Sequence, residues 1–548
     1  MRDVATSRTI PSPEYVELDV RLTRGVDLLG LRYCAQVIGE SLLNGITTIT
    51  PLIRYLSFRT WLIDCYIRAV PPPPDRWRTF VEYAQRAEAV FALANLVQDR
   101  STRSLVGSEE ALRRLNVGQG PYALGAFTQQ AAVNAYARAS DQLRLTRGEG
   151  NRGMPALGIE YGVPLVQAVE AAFASTRIGQ RIRAMEPLET VTEDELKEFG
   201  AVAWVKSIPD AERDALLAAL LPERPETTDL SRMATYAALL SLAGEMEEGS
   251  GRLQEMRLFA EAVAVERTTP EILHDVLDRW ALYTVRDAIA VTAEYALAAI
   301  VGTLDRLDEE GIGVRDDLVV RRLLEESGDD QIGALRELGL GNPNDDIATL
   351  RLATLADRVA QATYEKRTVS RTGVQRWAGE LTEVTVLNAT PGLRRGCLVA
   401  GLVAWLLAEI RVGDAVRRGV PEVAPLSHEG ATRFGLEQVV LPRLNEWRAR
   451  DLTVAEVLAE YAHLVIDQHL RIVWARLSQT PQRDVSVLLR DGDRIVRRSH
   501  FDPGRTASRV PEAIGWLQQL GLLREGVLTP FGGDVLDRTL QSLSRALR

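Results

Sequence analysis

Close to the C-terminus, the run DVSVLLRDGDRIVRRS (Asp484–Ser499) permits little besides two strands joined by a tight turn. Asp491-Gly492 is the turn chemistry of a two-residue hairpin, and apolar residues alternate on both sides of it. In the following TASRVPEAIGWLQQLG, Ala507, Val510, Ile514, Leu517 and Leu520 recur at three- and four-residue steps, which predicts a helix stopped by Gly521. LLREGVLTPF then supplies two short strands around Glu525-Gly526. A helix followed by a small wing predicts a winged-helix-like module, α+β in class, within residues 481–548. Such a module docks nucleic acid or protein and carries no chemistry of its own, so any activity must be sought elsewhere in the chain.

The remainder reads as mainly α. Thr192 with Glu195 and Thr453 with Glu456 fit the capping box, Thr269-Pro270-Glu271 fits a capped helix start, and Pro164 suits the first turn of LVQAVEAAFAST. A chain of 548 residues is too long for one core, and its punctuation divides it into five segments. These are an aromatic-rich helical segment (1–70), a helical domain (75–180), an acidic helical domain (181–380), a buried-helix domain (381–480) and the C-terminal module (481–548). Pro71–Pro74 form a stiff spacer after the first. Within the second, LRLTRGEGNRGMPALGIEYGVPLVQA echoes LGLLREGVLTPFGGDVLDR: a leucine pair, a glycine-bearing turn, then an aromatic-Gly pair opening a helix. That echo predicts a degenerate second winged-helix end, with a strand pair between Leu143 and Tyr161.

Charge and cysteine usage exclude several classes. A formal net charge of -10 argues against a protein that coats nucleic acid uniformly, so any such contact needs a local basic patch. Three cysteines, Cys34, Cys65 and Cys397, with no C-x-x-C spacing indicate neither a disulfide framework nor a cysteine zinc site. GCLVAGLVAWLLA (Gly396–Ala408) falls short of the roughly 20 apolar residues that span a bilayer and predicts a buried helix. The N-terminus shows no secretory signal pattern, and the expected location is cytoplasmic, with no membrane partner. Two tracts are acidic: Glu186–Asp229 holds twelve acidic against four basic residues, and Thr303–Asp330 ten against four. Both read as solvated faces or as surfaces for a basic partner.

Motifs for catalysis are sparse. Gly148–Gly153 matches G-x-G-x-x-G, but the preceding segment reads as helix and not as the strand that the phosphate cradle requires. No Walker A pattern, G-x-S-x-G or H-E-x-x-H occurs. His463, Asp467 and His469 cluster in EYAHLVIDQHLRIVWARL. His463 and Asp467 share a helix face while His469 is rotated far round, so a metal site or general base competes with a packing role. No catalytic residue, cofactor or metal is called for.

Basic residues concentrate near the end. Nine arginines against four aspartates lie between Arg471 and Arg509. Arg497 and Arg498 end the hairpin, and Arg505 and Arg509, with Thr506 and Ser508, flank the start of the helix that a winged-helix module uses for recognition. Those six residues are the candidate nucleic-acid contacts. A front cluster, Arg54, Tyr55, Phe58, Arg59, Trp61 and Arg68, interleaves arginine with aromatics and reads as core or as a surface for bases or a partner protein.

The front block LLNGITTITPLIRYLSFRTW, together with VIDQHLRIVWARL, the hairpin and TPFGGDV, resembles a pattern in large, uncharacterised helical bacterial proteins found among anti-phage defence loci. The residues matching it are Arg54, Tyr55, Ser57, Phe58, Trp61 and His469. The resemblance covers about a third of the chain and implies a defence-associated protein without a transferable catalytic residue. The expectation is therefore a non-catalytic subunit of a multi-protein complex, contacting nucleic acid or partner proteins through its C-terminal module. Two alternatives stay open: a metal-dependent nuclease or hydrolase using His463, Asp467 and His469, and a pure protein scaffold.

Overall fold

The computed structural model describes residues 27–548 except 72–75, 119, 126, 128–130, 149–152, 248–252, 266, 309–310, 421–432, 480–485, 500 and 506. The expected proline spacer (Pro72–Pro74), the centre of the G-x-G-x-x-G match and Thr506 lie outside the described residues. Among those described, 21 α-helices and eleven short strands form, so the chain is mainly helical. They divide into two compact units, each assembled from separated stretches. The first comprises residues 40–258, 268–276 and 507–548; the second comprises 27–39, 259–267 and 277–506.

In the first unit the helix Arg54–Ala69 is buried from Arg54 through Tyr66. It packs on the helix Gly162–Ala174, while Arg76–Gln98 packs on Glu193–Ala203. Phe58 holds the centre, stacked on Phe91 at 4.6 Å and edge-on to Phe173 and Phe199. Each such side chain contributes about 1.5–3 kcal/mol by leaving water. The helix starts follow the expected chemistry: Thr192 N donates to Glu195 Oε2 (2.8 Å), and Glu195 N to Thr192 Oγ1 (3.3 Å).

One arrangement occurs twice in this unit. The helix Ala137–Gln142 leads into the strand pair Thr146–Arg147 with Ala156–Leu157, then the helix Gly162–Ala174. Val510–Gln519 leads into Leu523–Arg524 with Val527–Leu528, then Pro530–Ala546. The first helix ends alike in both: Arg144 and Gly521 adopt positive φ, and the next residue donates back, Leu145 to Ser140 O (2.8 Å) and Leu522 to Leu517 O (2.9 Å). The strand pair expected between Leu143 and Tyr161 is therefore present. Glu525 and Gly526 both have positive φ, as a tight primed turn demands.

The second unit is organised around the helix Cys397–Arg417, whose apolar first half is buried as expected. It packs on Asp316–Glu337 and Val454–Gln479. Trp405 stacks on Trp447 at 5.7 Å and meets Tyr461 edge-on. Residues 271–307 and 394–417 are long and apolar enough to cross a membrane, but 78% and 89% of their apolar windows are buried in protein.

The hairpin near the C-terminus forms with its turn displaced. Asp491 pairs with Arg494, so the loop residues are Gly492 and Asp493, not Asp491 and Gly492. Gly492 takes the positive φ there (+62°). A third strand, Val314–Arg315, pairs with Arg494–Ile495. This three-stranded sheet belongs to the second unit, whereas the helix Val510–Gln519 and the strand pair after it belong to the first. Residues 481–548 are thus shared out between the two units.

Candidate functional site

The C-terminal arginines meet carboxylates of their own units. Arg497 Nη1 lies 2.8 Å from Asp305, Arg505 pairs with Asp287, and Arg509 pairs with Glu40 while also donating to Ile46 O (2.6 Å). Ser508 is buried and its hydroxyl donates to Glu255. Arg498 is exposed. The expectation for this set is that it faces a phosphate backbone together. Ser508 is buried, Arg505 and Arg509 are largely covered, and their charges are compensated at short range, which leaves little for a distant phosphate. The following helix is also engaged: Trp516 Nε1 donates to Thr50 O (2.8 Å), and Gln519 both donates to Pro51 O (2.8 Å) and accepts from Ile53 N (2.9 Å).

The front cluster, Arg68 apart, is core. Arg54 is buried, pairs with Glu212 (2.8 Å) and donates to the carbonyls of Val202 (2.6 Å) and Ser207 (2.9 Å), closing the C-terminal end of the helix Glu193–Ala203. Tyr55 lies on Phe91 and Tyr136 and accepts from Val106 N (3.1 Å). Ser57, Phe58 and Trp61 are buried beside them, with Trp61 Nε1 on Glu170. The first acidic tract splits in the same way. Glu212 and Asp229 are buried partners of Arg54, Arg144 and Arg232, while Glu189, Glu193, Asp194, Asp210 and Asp214 are exposed.

His463, Asp467 and His469 do not form one site. His469 is buried: its Nδ1 faces Leu28 O (2.9 Å), and Nε2 accepts from the backbone N–H of Val487 and Leu488 (3.2 Å each). Burial holds the imidazole neutral and lowers its pKa from 6.5 to about 4. Both ring nitrogens are thereby occupied. His463 Nδ1 lies 3.8 Å from Asp316, and Asp467 lies 3.4 Å from Arg490. Among the described residues no group of three or more His, Cys, Asp or Glu could hold a metal ion.

A cleft of about 310 Å3 in the second unit was not foreseen from the sequence. One wall is the helix Leu352–Ala362, the other the helix Cys397–Arg417, and Arg367, Gln375 and Arg448 close it. Leu406, Ile410 and Asp414 follow at four-residue steps on one helix face, so the floor is apolar with a charged end. Glu409 accepts two bonds from Arg448, and Asp414 pairs with Arg417 (2.6 Å). Arg367 is different. Its Nη2 donates to Ala360 O (3.1 Å) and Thr363 Oγ1 (2.6 Å) and its Nε to Thr363 O (3.3 Å), so that, from the connection that follows, it caps the C-terminal end of the helix Leu352–Ala362. Among the described residues it meets no carboxylate, and desolvation, with the nearby Arg411 charge, lowers its pKa. The lining joins two helices about forty residues apart with Arg367, Gln375 and Arg448 from other stretches, so no local motif could have revealed the cleft. Compared with protein families, curated proteins and solved structures, the chain finds no match in any of the three.

Proposed function

We propose that this chain is a non-catalytic component of a multi-protein assembly, in keeping with the anti-phage defence proteins it resembles, and that its contacts are with protein and not with nucleic acid. The observation supporting this reading is the internal pairing of Arg497, Arg505 and Arg509 with Asp305, Asp287 and Glu40. Binding to a phosphate backbone draws on the release of counterions by uncompensated cations, and these cations are compensated. The helix, strand pair and helix of residues 510–546 act in this reading as a winged-helix-like docking element. Its exposed charges are mixed: Arg524 with Glu525 on the wing, and Asp534, Asp537 and Arg538 on the last helix. Mixed charge suits a protein surface, where pairing sets register, better than a polyanion.

The test is binding of purified protein to labelled duplex DNA, single-stranded DNA and RNA across a salt series, with Arg498→Glu in parallel. The expected result is no binding that falls steeply with salt. Salt-steep binding weakened by Arg498→Glu would overturn the protein-only reading and restore the nucleic-acid one. Arg498 is the variant of choice because it is exposed, whereas removing Arg505 or Arg509 uncovers a carboxylate and perturbs folding.

A further inference from the structure

We propose that the cleft between the helices Leu352–Ala362 and Cys397–Arg417 binds a small zwitterion of the α-amino acid class, its carboxylate on Arg367 and its ammonium on Asp357. The argument starts from charge. Three cations, Arg367, Arg417 and Arg448, and three anions, Asp357, Glu409 and Asp414, line one space. Two cations and two anions pair with each other: Arg448 with Glu409, and Arg417 with Asp414. What remains without an ion pair is one charge of each sign, Arg367 and Asp357, the latter also within the field of Arg448, whose charge it favours. Arg367 uses Nε and Nη2 on oxygens at the end of the helix Leu352–Ala362, and Nη1 takes no part in those bonds. Among the described residues Asp357 has no cation within ion-pairing distance, and it sits one turn before Ala360, on the wall that Arg367 caps.

A ligand carrying one sign of charge would be repelled by half of this lining. A simple anion faces Asp357, Glu409 and Asp414, and a simple cation faces the three arginines. A molecule with both charges a few ångströms apart satisfies both unpaired residues at once. Ala356, Ala360, Leu406 and Ile410 leave an apolar floor for its side chain, and the small alanines provide the room. A volume of about 310 Å3 falls at the lower end of the roughly 300–1,000 Å3 typical of ligand pockets, which favours a single amino acid over anything larger. The site lies within the second unit and does not depend on the protein-docking reading.

Thermal unfolding and calorimetry of the whole chain test it, with glycine, leucine, methionine and glutamine as ligands. Isopentylamine and 4-methylpentanoate, the singly charged analogues of leucine, serve as controls. At least one amino acid is expected to raise Tm and give saturable heat while the analogues do not. Arg367→Gln and Asp357→Asn should each weaken that binding by roughly tenfold or more, the worth of a charge-assisted hydrogen bond. Asp357 is exposed, so Asp357→Asn should fold normally and remains decisive if Arg367→Gln loosens the helix end. The absence of a shift with every amino acid, an equal response to the analogues, or binding that survives Asp357→Asn would overturn the proposal.

Discussion

His469 stabilises the second unit only while it is neutral. Its Nε2 must accept from Val487 and Leu488, and a protonated ring has no lone pair to offer. Because the folded pKa (about 4) lies below the ordinary 6.5, the unfolded chain takes the proton first as pH falls. The contribution is therefore complete above pH 6.5 and is lost progressively between 6.5 and 4, to the extent of about 3 kcal/mol. His469→Ala should lower Tm clearly at neutral pH, and the gap from the wild type should narrow as pH approaches 4; a gap independent of pH would refute the assignment. Arg54 poses a harder electrostatic problem, since it and Glu212 are both buried. Glu212→Gln leaves the guanidinium without a counter-charge in a medium that screens poorly, and about 3–5 kcal/mol should be lost. A thermal melt checks this against Asp317→Asn in the exposed Arg315–Asp317 pair, which should leave Tm unchanged.

At the scale of elements, the repeated helix, strand pair and helix turns on two glycines. A Cβ on Gly162 would lie 2.0 Å from Leu145 O, and one on Gly532 would lie 2.2 Å from Leu522 O, so in both copies the final helix closes against the carbonyl that precedes the first strand. Gly162→Ala and Gly532→Ala should each destabilise by about 1–3 kcal/mol through overpacking. Gly533→Ala meets nothing within 4 Å and should stabilise slightly, as alanine does in a helix. Equal Tm changes at positions 532 and 533 would show that the close approach does not govern stability. These features were legible because they are local: the leucine pair, the aromatic-Gly pair and Glu525-Gly526 lie within about twenty residues of one another. The capping boxes at Thr192 and Thr453 were readable for the same reason. What escaped was long-range. Two residues, Val314–Arg315, extend the hairpin sheet from far upstream, and no periodicity announces so short a strand. Nor does spacing reveal which carboxylate an arginine will meet, because Asp287, Asp305 and Glu40 reach their partners only through the tertiary fold.

Over the whole molecule, the behaviour of residues 481–548 separates local pattern from a folding unit. As a sequence they contain everything a small module needs: a hairpin, a helix and a wing. In the structure each part is completed by other stretches. The hairpin takes Val314–Arg315 as its third strand, and His469 receives the N–H groups at its entry. The helix Val510–Gln519 places its tryptophan N–H on Thr50, and Pro530–Ala546 packs along the helix Thr227–Gly244. Cutting the segment out removes the sheet edge partner, exposes Trp516, Leu517 and Val535, and leaves fewer than seventy residues to offset the chain entropy unaided. A peptide spanning 481–548 should therefore show little far-UV helix signal and no cooperative melt, and a chain ending at Thr506 should lose the protease resistance of residues 40–258. A cooperative transition with dispersed NMR signals from the isolated peptide would mean instead that the module folds by itself, and that its long-range contacts are added to a structure already stable.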